Sequence, residues 1–362
     1  MCGVLLLLLL LCSSQTNHFY GTVMTFTPQD LRNNGSVTVV CRYKTSFRSC
    51  SDGDAWDCAG GDCGSHTLEL SVVDTLDGDW CQKEGVMRRR VPDTEPFQLR
   101  SESHLSTSVS HLSGGDWISG VRNGVRSWLA ITRVDLRVRS DLGQPNRSPQ
   151  TTVLPALRVP SNCRRDFDLL AFDPDGDEVK CRYGDAGAQE CNPCRPPSLL
   201  TVSPSCTLTF HSSSSSSEGP YAVQVEMEDF PKQNISLLQR DGVKITRTPS
   251  DALSKIPLRF ALIVDPAVPS CTDGLYLPKF LPPTPASRAQ LVAFVNLNLE
   301  ITIKAEATSA QVSGVFFSGP HGTTKQEVSE GHFLLNWTPP EGSEEETHPM
   351  CFVVRAVKRS LV

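Results

Sequence analysis

Several features that mark common functional classes are missing from this sequence of 362 residues. After the first sixteen residues, no stretch reaches the roughly 18 consecutive apolar residues of a transmembrane helix, so we expect no membrane span in this chain. Basic residues are not in excess, because 34 Lys and Arg stand against 40 Asp and Glu and the net charge is −6. Proteins that bind nucleic acid carry a basic surface, so we expect no nucleic-acid partner.

The sequence motifs of common enzymes are missing as well. The eight histidines are scattered singly, and the sequence has no H-E-x-x-H, G-x-S-x-G, Walker A or G-x-G-x-x-G motif. Helical periodicity of apolar residues with capping signals is scarce. We therefore expect that the protein is not an enzyme and that its fold contains little helix.

Short segments rich in β-branched residues indicate strands instead of helices. They are bounded by Gly, Pro, Asn or Asp, the residues that favour turns. These segments are 36–43, 67–73, 127–138, 221–228, 299–305 and 350–357. Many short strands between turns predict an all-β fold, in which tandem β-sandwich domains are stapled by disulfides.

The first sixteen residues, MCGVLLLLLLLCSSQT, predict a signal peptide. Residues 5–11 are an unbroken run of leucine followed by small residues, and this run is too short to span a bilayer. The positive charge that usually precedes such a run is missing. A buried strand is the alternative, but leucine has weak β-propensity. We expect residues 1–16 to be removed and the mature protein to be secreted into the extracellular space.

Proline-rich segments divide the rest of the chain into three blocks. Residues 143–160 contain four prolines and residues 265–285 contain six, which is typical of extended linkers. At roughly 100–200 residues per domain, the length also predicts two or three domains. We expect a cysteine-rich N-terminal β domain at 17–150, a β-sandwich at 151–265 and a C-terminal β-sandwich at 266–362.

Fourteen cysteines indicate an oxidising compartment, where disulfides persist. Twelve remain once residues 1–16 are removed. The first block holds Cys41, Cys50, Cys58, Cys63 and Cys81; the second holds Cys163, Cys181, Cys191, Cys194 and Cys206; the third holds Cys271 and Cys351. We expect a Cys271–Cys351 bridge that makes the third block self-contained. Cys58 and Cys63 indicate a stapled loop, and Cys191 and Cys194 are expected in structural disulfides, but spacing alone does not give the full connectivity. The two odd groups leave two possibilities: a bridge between the first and second blocks, which we favour, or one free thiol in each.

The sequence DPDGDE at 173–178 places alternate aspartates on a turn that contains glycine. Asp173, Asp175 and Asp177 can direct several carboxylate oxygens toward one point, as Ca²⁺ requires. A hairpin turn that binds no ion is the alternative, because Asp and Gly also favour turns through their own hydrogen bonds and backbone freedom. Both interpretations remain open from these residues alone.

The segments LLAFDPDGDEV at 169–179 and GPYAVQVEMED at 219–229 resemble cadherin-like and immunoglobulin-like extracellular repeats. Such repeats carry a DPDGD turn after an early strand and close with a strand of the form G-x-Y-x-V-x-V-x-x-x-D. Residues 333–339 and 351–356 are similar to the same repeats but lack the acidic turn. The resemblance implies immunoglobulin-like or cadherin-like sandwiches. The second block lacks the linker acids of true cadherins, so the resemblance does not imply calcium-stiffened adhesion. Asp173, Asp175, Asp177 and Asp229 are the candidate ligands if this turn binds calcium.

A broader set of segments resembles an uncharacterised group of secreted multidomain proteins, chiefly of fish. The segments are HFYG at 18–21, MTFTP at 24–28, RYK at 42–44, GDCG at 61–64, WISG at 117–120 and PSCTDGLYLP at 269–278. In some members this region precedes zona-pellucida-type or von Willebrand-type modules. The resemblance implies that a chain ending at Val362, directly after a strand, is a short or truncated member.

Asn34 and Asn234 are the expected glycosylation sites, whereas the sequons at Asn146 and Asn336 have proline after the hydroxyl residue. The expected function is a non-enzymatic binding or matrix module that recognises an extracellular protein or glycan by its surface loops. A calcium-dependent adhesion repeat is the alternative, with Ca²⁺ as the one candidate cofactor. A secreted hydrolase with an unrecognised site is a third hypothesis.

Overall fold

The computed structural model describes residues 18–32, 35–53, 55–76, 78–103, 116–239, 241–344 and 346–358. The predicted signal peptide at 1–16 and the sequon residue Asn34 lie outside these ranges. Nearly all regular structure in the described residues is β-strand, and the one helical segment is a 3₁₀ turn at Ser215–Ser217. None of these helical residues forms a segment long and apolar enough to cross a membrane. The all-β prediction is confirmed.

The described residues form 23 strands, numbered here in chain order. They are β1 (Phe19–Leu31), β2 (Val37–Phe47), β3 (Asp57–Gly60), β4 (Ser65–Leu76), β5 (Trp80–Val91), β6 (Phe97–Glu102), β7 (Leu129–Val134), β8 (Val138–Arg139), β9 (Ala156–Pro160), β10 (Arg165–Asp168), β11 (Glu178–Tyr183), β12 (Leu200–Val202), β13 (Thr207–Phe210), β14 (Gly219–Phe230), β15 (Ile235–Leu238), β16 (Lys244–Arg247), β17 (Ser254–Asp265), β18 (Lys279–Leu281), β19 (Leu299–Glu306), β20 (Ala310–Ser318), β21 (Thr324–Ser329), β22 (His332–Trp337) and β23 (Cys351–Lys358). Each of the six segments expected to be a strand overlaps one or more of them.

Strand β17 is the central strand of the largest sheet. One of its sides pairs with β14 along almost its whole length. Its other side meets β7, β1 and β9 in succession, with β9 running parallel. Ten of its twelve residues are buried, which explains a sequence that is apolar from Ile256 to Val264, apart from Arg259, instead of alternating. Since β1 and β7 belong to the block at 17–150, the first two predicted blocks share one sheet.

The contact between β1 and β17 depends on a glycine. Gly21 lies opposite Phe260, and a Cβ atom at Gly21 would stand 2.1 Å from the carbonyl oxygen of Arg259. Any side chain at this position would push the two strands apart, which is why a glycine occurs inside a strand here. The first and second blocks therefore approach each other at backbone distance.

Two packed layers enclose the core of the second block. The three-stranded sheet β10–β13–β12 covers one face of β11, β14 and β17. Phe210 of β13 packs with Val225 of β14 and Leu258 of β17, and all three are buried. In the first block the sheet curls instead, so that Met24 and Met87 from one half pack against residues of β6 and β7 in the other. Both arrangements bury the apolar face of a sheet, as a sandwich requires.

The third block is a smaller sandwich. The sheet β18–β19–β22–β21 faces the pair β20–β23. Along β22 every second residue is buried, so that Phe333 and Leu335 point into the core between the sheets, where Phe317 of β20 joins them. This alternation is the pattern of a strand with one face in the core and one toward solvent.

The third block is hydrogen-bonded to the first. The backbone N–H of Phe317 donates to a carboxylate oxygen of Asp74, at 3.2 Å. The backbone N–H of His321 donates to Glu84, at 2.9 Å. Both carboxylates are buried in the contact, so each would be costly to leave without a donor. The expectation of a self-contained third block is wrong, because its loop and edge residues satisfy buried acids of the first.

Five disulfides are present in the described residues. They are Cys50–Cys81, Cys58–Cys63, Cys163–Cys271, Cys181–Cys206 and Cys191–Cys194. The stapled loop predicted around the glycines at 60 and 61 is therefore confirmed, and the two cysteines of the C-x-x-C segment are structural disulfide cysteines that bond to each other. Every cysteine of the second block is bonded.

The predicted pair Cys271–Cys351 is wrong. Cys271 bonds to Cys163, across a sequence separation of 108 residues. The side chain of Asn162 donates to the carbonyl of Val268 and accepts from the N–H of the same residue, and these bonds hold the two cysteines side by side. The bridge between blocks therefore joins the second block to the third.

A bridge between the first and second blocks does not form either, because the first block has a buried free thiol. Cys41 faces the core of the curled sheet, and Cys351 is the other free cysteine in the part of the chain that the structure describes. Cys351 donates to the carbonyl of Thr152, at 3.4 Å. Burial raises the pKa of both thiols to about 12, so they stay protonated and unreactive.

We expect proteolytic mapping of the oxidised protein to recover a peptide linked through Cys163 and Cys271. Replacing both residues by Ser should lower the free energy of unfolding by about 5 kcal/mol, because the bridge closes a long loop in the unfolded chain. The matched control is the double variant Cys58→Ser with Cys63→Ser. It removes a bridge that closes only a short loop, so the free energy of unfolding should fall by about 2 kcal/mol. Urea denaturation measures both values, and a peptide that links Cys271 to Cys351 would contradict the pairing.

Candidate functional site

The acidic turn lies between Phe172 and the start of β11, and its own backbone fixes its shape. One carboxylate oxygen of Asp173 accepts the N–H of Asp175, at 2.9 Å, and of Asp177, at 3.1 Å. Gly176 has φ of +83°, a left-handed conformation that glycine adopts without strain. The hydrogen bonds of an Asx turn are therefore present, as the hairpin interpretation expects.

Asp229 comes to the same place from β14. It pairs with Val179 of β11, directly after the turn, and its side chain is fully buried. One carboxylate oxygen accepts from the backbone N–H and the hydroxyl of Ser254, at 2.8 and 2.5 Å. The other accepts from the side-chain amide of Asn146, at 2.7 Å. The register of β11 and β14 thus brings the closing aspartate of one strand to the turn that begins the other.

Three of the four candidate ligands converge. Asp173, Asp177 and Asp229 each contribute a carboxylate oxygen, and these oxygens lie within 4.8 Å of one another. The structure does not bring Asp175 into this group. Its carboxylate accepts the backbone N–H of Arg147 instead, at 2.7 Å, which turns it away from the other three.

A buried arginine already balances one of the converging carboxylates. The guanidinium of Arg139, 1% exposed, pairs with Asp177 and with Asp141. It also donates to the side-chain carbonyl of Asn146, at 2.6 Å. Although burial disfavours the charged form, the bonds to the two carboxylates raise the pKa of Arg139 above its usual value, so the arginine stays charged.

Asp173 and Asp229 have no such counter-ion among the residues that the structure describes. Burial, with the neighbouring charge of Asp229, raises the pKa of Asp173 to about 7. Burial raises the pKa of Asp229 to about 6, although the hydrogen bonds from Ser254 and Asn146 oppose the shift. The second oxygen of Asp173 is buried and has no hydrogen-bond partner among the described residues. The site therefore carries negative charge that its own side chains do not neutralise, and carboxylate oxygens are what a hard cation binds.

Sequence reasoning missed Arg139 and Asn146. The sequence around Asn146 indicates only a poor glycosylation site. In the structure, Asn146 is 2% exposed, and its side chain joins Arg139 to Asp229 by hydrogen bonds. Both residues precede or occupy the proline-rich segment 143–160, which is not an open linker. Most of residues 145–155 are buried, and Ser148 exchanges hydrogen bonds with the backbone of Phe26. The sequence of residues 143–160 is polar and rich in proline, and such a sequence does not indicate burial.

A second cluster of buried charges surrounds Arg259 of β17. This side chain is fully buried and pairs with Glu226 of β14. It also donates to the backbone carbonyls of Leu129, Val225 and Glu190, at 3.0, 2.6 and 2.7 Å. A single guanidinium thus ties β7, β14, β17 and the loop before β12 together. Donors in a fixed planar fork make arginine suited to this task.

Glu190 extends this cluster toward the surface. Its carboxylate accepts two bonds from Arg182, at 2.6 and 2.8 Å, and pairs with Lys255. Burial would raise its pKa, but these cationic donors lower it to about 2. Glu226 is different, since burial outweighs the attraction of Arg259 and raises its pKa to about 7. Three acids, including Glu228, face three bases, so this cluster is balanced and needs no added ion.

Comparisons with known proteins add little to this description. No protein-family model and no curated protein matches the sequence. Among solved structures, the chain aligns with the N-terminal eight Ig domains of Down Syndrome Cell Adhesion Molecule at 11% identity and a TM-score of 0.18, over 91% of this chain and 42% of that one. It aligns with titin domains I67–I69 at 8% identity and a TM-score of 0.18, over 94% of this chain and 98% of that one. It aligns with Sidekick-1 immunoglobulin domains 1–4 at 10% identity and a TM-score of 0.17, over 95% of each chain.

These similarities concern arrays of immunoglobulin domains, and the chain spans less than half of the first. TM-scores of this size carry no argument about strand topology, ligand or function. The β-sandwich assignment therefore depends on the sheets and cores described above.

We expect Glu226→Gln to change how stability depends on pH. The folded-state pKa of about 7 lies above the ordinary value of 4.5, so the contribution of Glu226 to stability is full below pH 4.5 and is lost as pH rises toward 7. Between pH 5 and 8, the wild-type free energy of unfolding should therefore fall relative to the variant, by about 1–3 kcal/mol. Urea denaturation followed by tryptophan fluorescence measures the difference.

The exposed Glu178→Gln is the matched control, because its carboxylate lies at the surface of β11. If the wild type and Glu226→Gln show parallel pH profiles, the buried glutamate does not titrate in this range.

Proposed function

We propose that the protein is a secreted, non-enzymatic module that binds an extracellular protein through its surface. The observation that carries this proposal is the set of five disulfides, which join strands within blocks and the second block to the third. Disulfides persist outside the reducing cytosol, and they hold loops in fixed positions for recognition. The expected glycosylation of Asn234 is compatible with this environment, since the residue is exposed just before β15.

An exposed apolar loop of the third block supports a protein ligand. Residues 291–297, between β18 and β19, carry Leu291, Val292, Phe294 and Leu297, which are 50, 77, 66 and 61% exposed. Apolar side chains that are grouped at a surface mark interaction sites more often than isolated ones do. A protein partner offers pockets for such anchors, whereas a glycan would favour polar contacts.

The loop is held in place. The N–H of Asn296 donates to the carbonyl of Pro339, at 2.9 Å, and the N–H of Leu297 donates to that of Phe294, at 3.0 Å. A loop that is ordered before binding loses less conformational entropy when it binds. The acidic loop that begins at Glu341 lies beside it, so we propose a partner surface that combines an apolar pocket with basic residues.

We expect the oxidised, glycosylated protein to retain a partner from extracellular fluid. The double variant Val292→Ser with Phe294→Ser should reduce the amount retained by about tenfold or more, since buried aromatic anchors carry much of the binding energy. The matched control is Val243→Ser, which removes a side chain that is 51% exposed in another loop. Quantitative mass spectrometry of the retained proteins makes the comparison. Turnover of a substrate without any retained partner would contradict the proposal.

A second proposal is a calcium-dependent role for the acidic cluster. Asp173, Asp177 and Asp229 would supply three carboxylate ligands. Asp175 lies two residues from each of the first two, but its carboxylate accepts the N–H of Arg147 instead. The buried, unpartnered oxygen of Asp173 and the uncompensated charge of Asp229 favour a bound cation. The guanidinium of Arg139 opposes it by supplying positive charge at Asp177. This balance is compatible with a weak site, in the range of about 10⁻⁴–10⁻³ M that extracellular modules show.

We expect isothermal titration with Ca²⁺ to detect this site and Asp229→Asn to weaken it by about tenfold or more, because the variant removes one of few anionic ligands. Asp168→Asn is the matched control, since this aspartate is exposed in β10. Added Ca²⁺ should raise the melting temperature of the wild type and of the control variant only. An unchanged melting temperature at millimolar Ca²⁺ would show that the cluster is a hydrogen-bonded turn.

A further inference from the structure

Strand β4 ends the main sheet with an open edge. One of its sides pairs with β5, from Ser65 opposite Arg90 to Leu76 opposite Trp80. No strand among the described residues pairs with its other side. Residues 65–70 are all exposed, whereas Asp74 is buried under the third block. The open edge therefore presents unpaired backbone donors and acceptors over the first two thirds of the strand.

One face of this edge is apolar. Leu68, Leu70 and Val72 alternate along the strand and are 46, 48 and 46% exposed. Leu68 lies opposite Met87 of β5, which is 2% exposed and belongs to the core of the curled sheet. The three side chains therefore extend the apolar surface of that core beyond the part that the sheet itself covers.

Most of the devices that usually protect an edge strand are missing from residues 65–72, and the irregularity in the β4–β5 register lies beyond them, between Val72 and Asp74. Residues 65–72, SHTLELSV, contain no proline, lysine or arginine, and Glu69 is the single acid. Natural sheets discourage pairing of edges by placing such residues there or by making the edge strand short. A long, weakly charged edge with an apolar face is instead suited to accept another strand.

We propose that the occupant of this edge is β4 of a second copy of the chain, antiparallel and related by a twofold axis at Leu70. In this register Leu70 faces its own copy, Leu68 faces Val72, and Glu69 faces Ser71. Every apolar residue meets an apolar residue, and no like charges are opposed. This interaction is independent of the proposed extracellular ligand and lies on another block.

Neighbouring registers are less favourable. An axis at Glu69 would place two carboxylates directly opposite each other, which destabilises a strand pair. An axis at Leu68 would set Leu70 against His66. If the pairing of the two strands shifted by one residue, the apolar side chains of the second copy would lie on the opposite face of the sheet. The self-complementarity of the sequence about Leu70 is thus the reason for choosing a second copy over an unrelated strand.

Cross-linking tests the register. We expect Leu70→Cys, in the full oxidised chain, to form a disulfide-linked dimer, because the axis places the two new thiols face to face. Thr67→Cys is the matched control, since Thr67 lies on the opposite face and off the axis, so it should not cross-link above background. Equal cross-linking of the two variants would overturn the register.

Sedimentation equilibrium tests the interaction itself. We expect the wild type to dimerise reversibly, and Leu70→Lys to weaken dimerisation by about tenfold or more, because two lysines would then be opposed. Thr67→Lys should dimerise like the wild type, and circular dichroism checks that both variants are folded. A wild type that stays monomeric at every concentration overturns the proposal, as does a dimer that Leu70→Lys leaves unchanged. A monomer whose β4 amides resist hydrogen exchange overturns it too, since another part of the chain would then cover the edge.

Discussion

Use of both sides of β17 is the constraint on which the rest of the structure depends. A strand that pairs with β14 on one side and with β7, β1 and β9 on the other cannot be removed without separating the first two blocks. Gly21 allows one of these strands to approach, and Arg259 donates to carbonyls of β7 and β14, at Leu129 and Val225. Because all these contacts converge on twelve residues, the two blocks form one folded unit with a shared sheet.

The two buried acidic clusters differ in how their charge is balanced. Around Arg259, three acids face three bases, so the formal charges are balanced within the protein, although burial still raises the pKa of Glu226. Around Arg139, one arginine serves Asp177 and Asp141, and the burial of Asp173 and Asp229 is not compensated. The first cluster is therefore part of the framework, and the second is the one at which we propose that a cation binds.

The sequence predicts the strands well because alternation and β-branched residues report burial locally, as along β22. The resemblance to repeat motifs also anticipates that Asp229 meets the acidic turn, since strand register carries this contact. It misplaces Asp175, whose direction depends on the backbone of Arg147, and it misses Arg139 and Asn146. The Cys163–Cys271 bridge could not be derived from spacing, because loop closure costs vary only slowly with length and do not discriminate between partners.

The same bridge changes how the chain would respond to mechanical tension. If a pulling force acts on the third block, it passes from Cys271 to Cys163 through a covalent bond and bypasses the residues between them. Strands β10–β17 all lie between the two cysteines, so their backbone would carry no tension, however weak their own packing. Extension would be limited to the segments outside the bridge, so the second block would act as an inextensible joint between its neighbours.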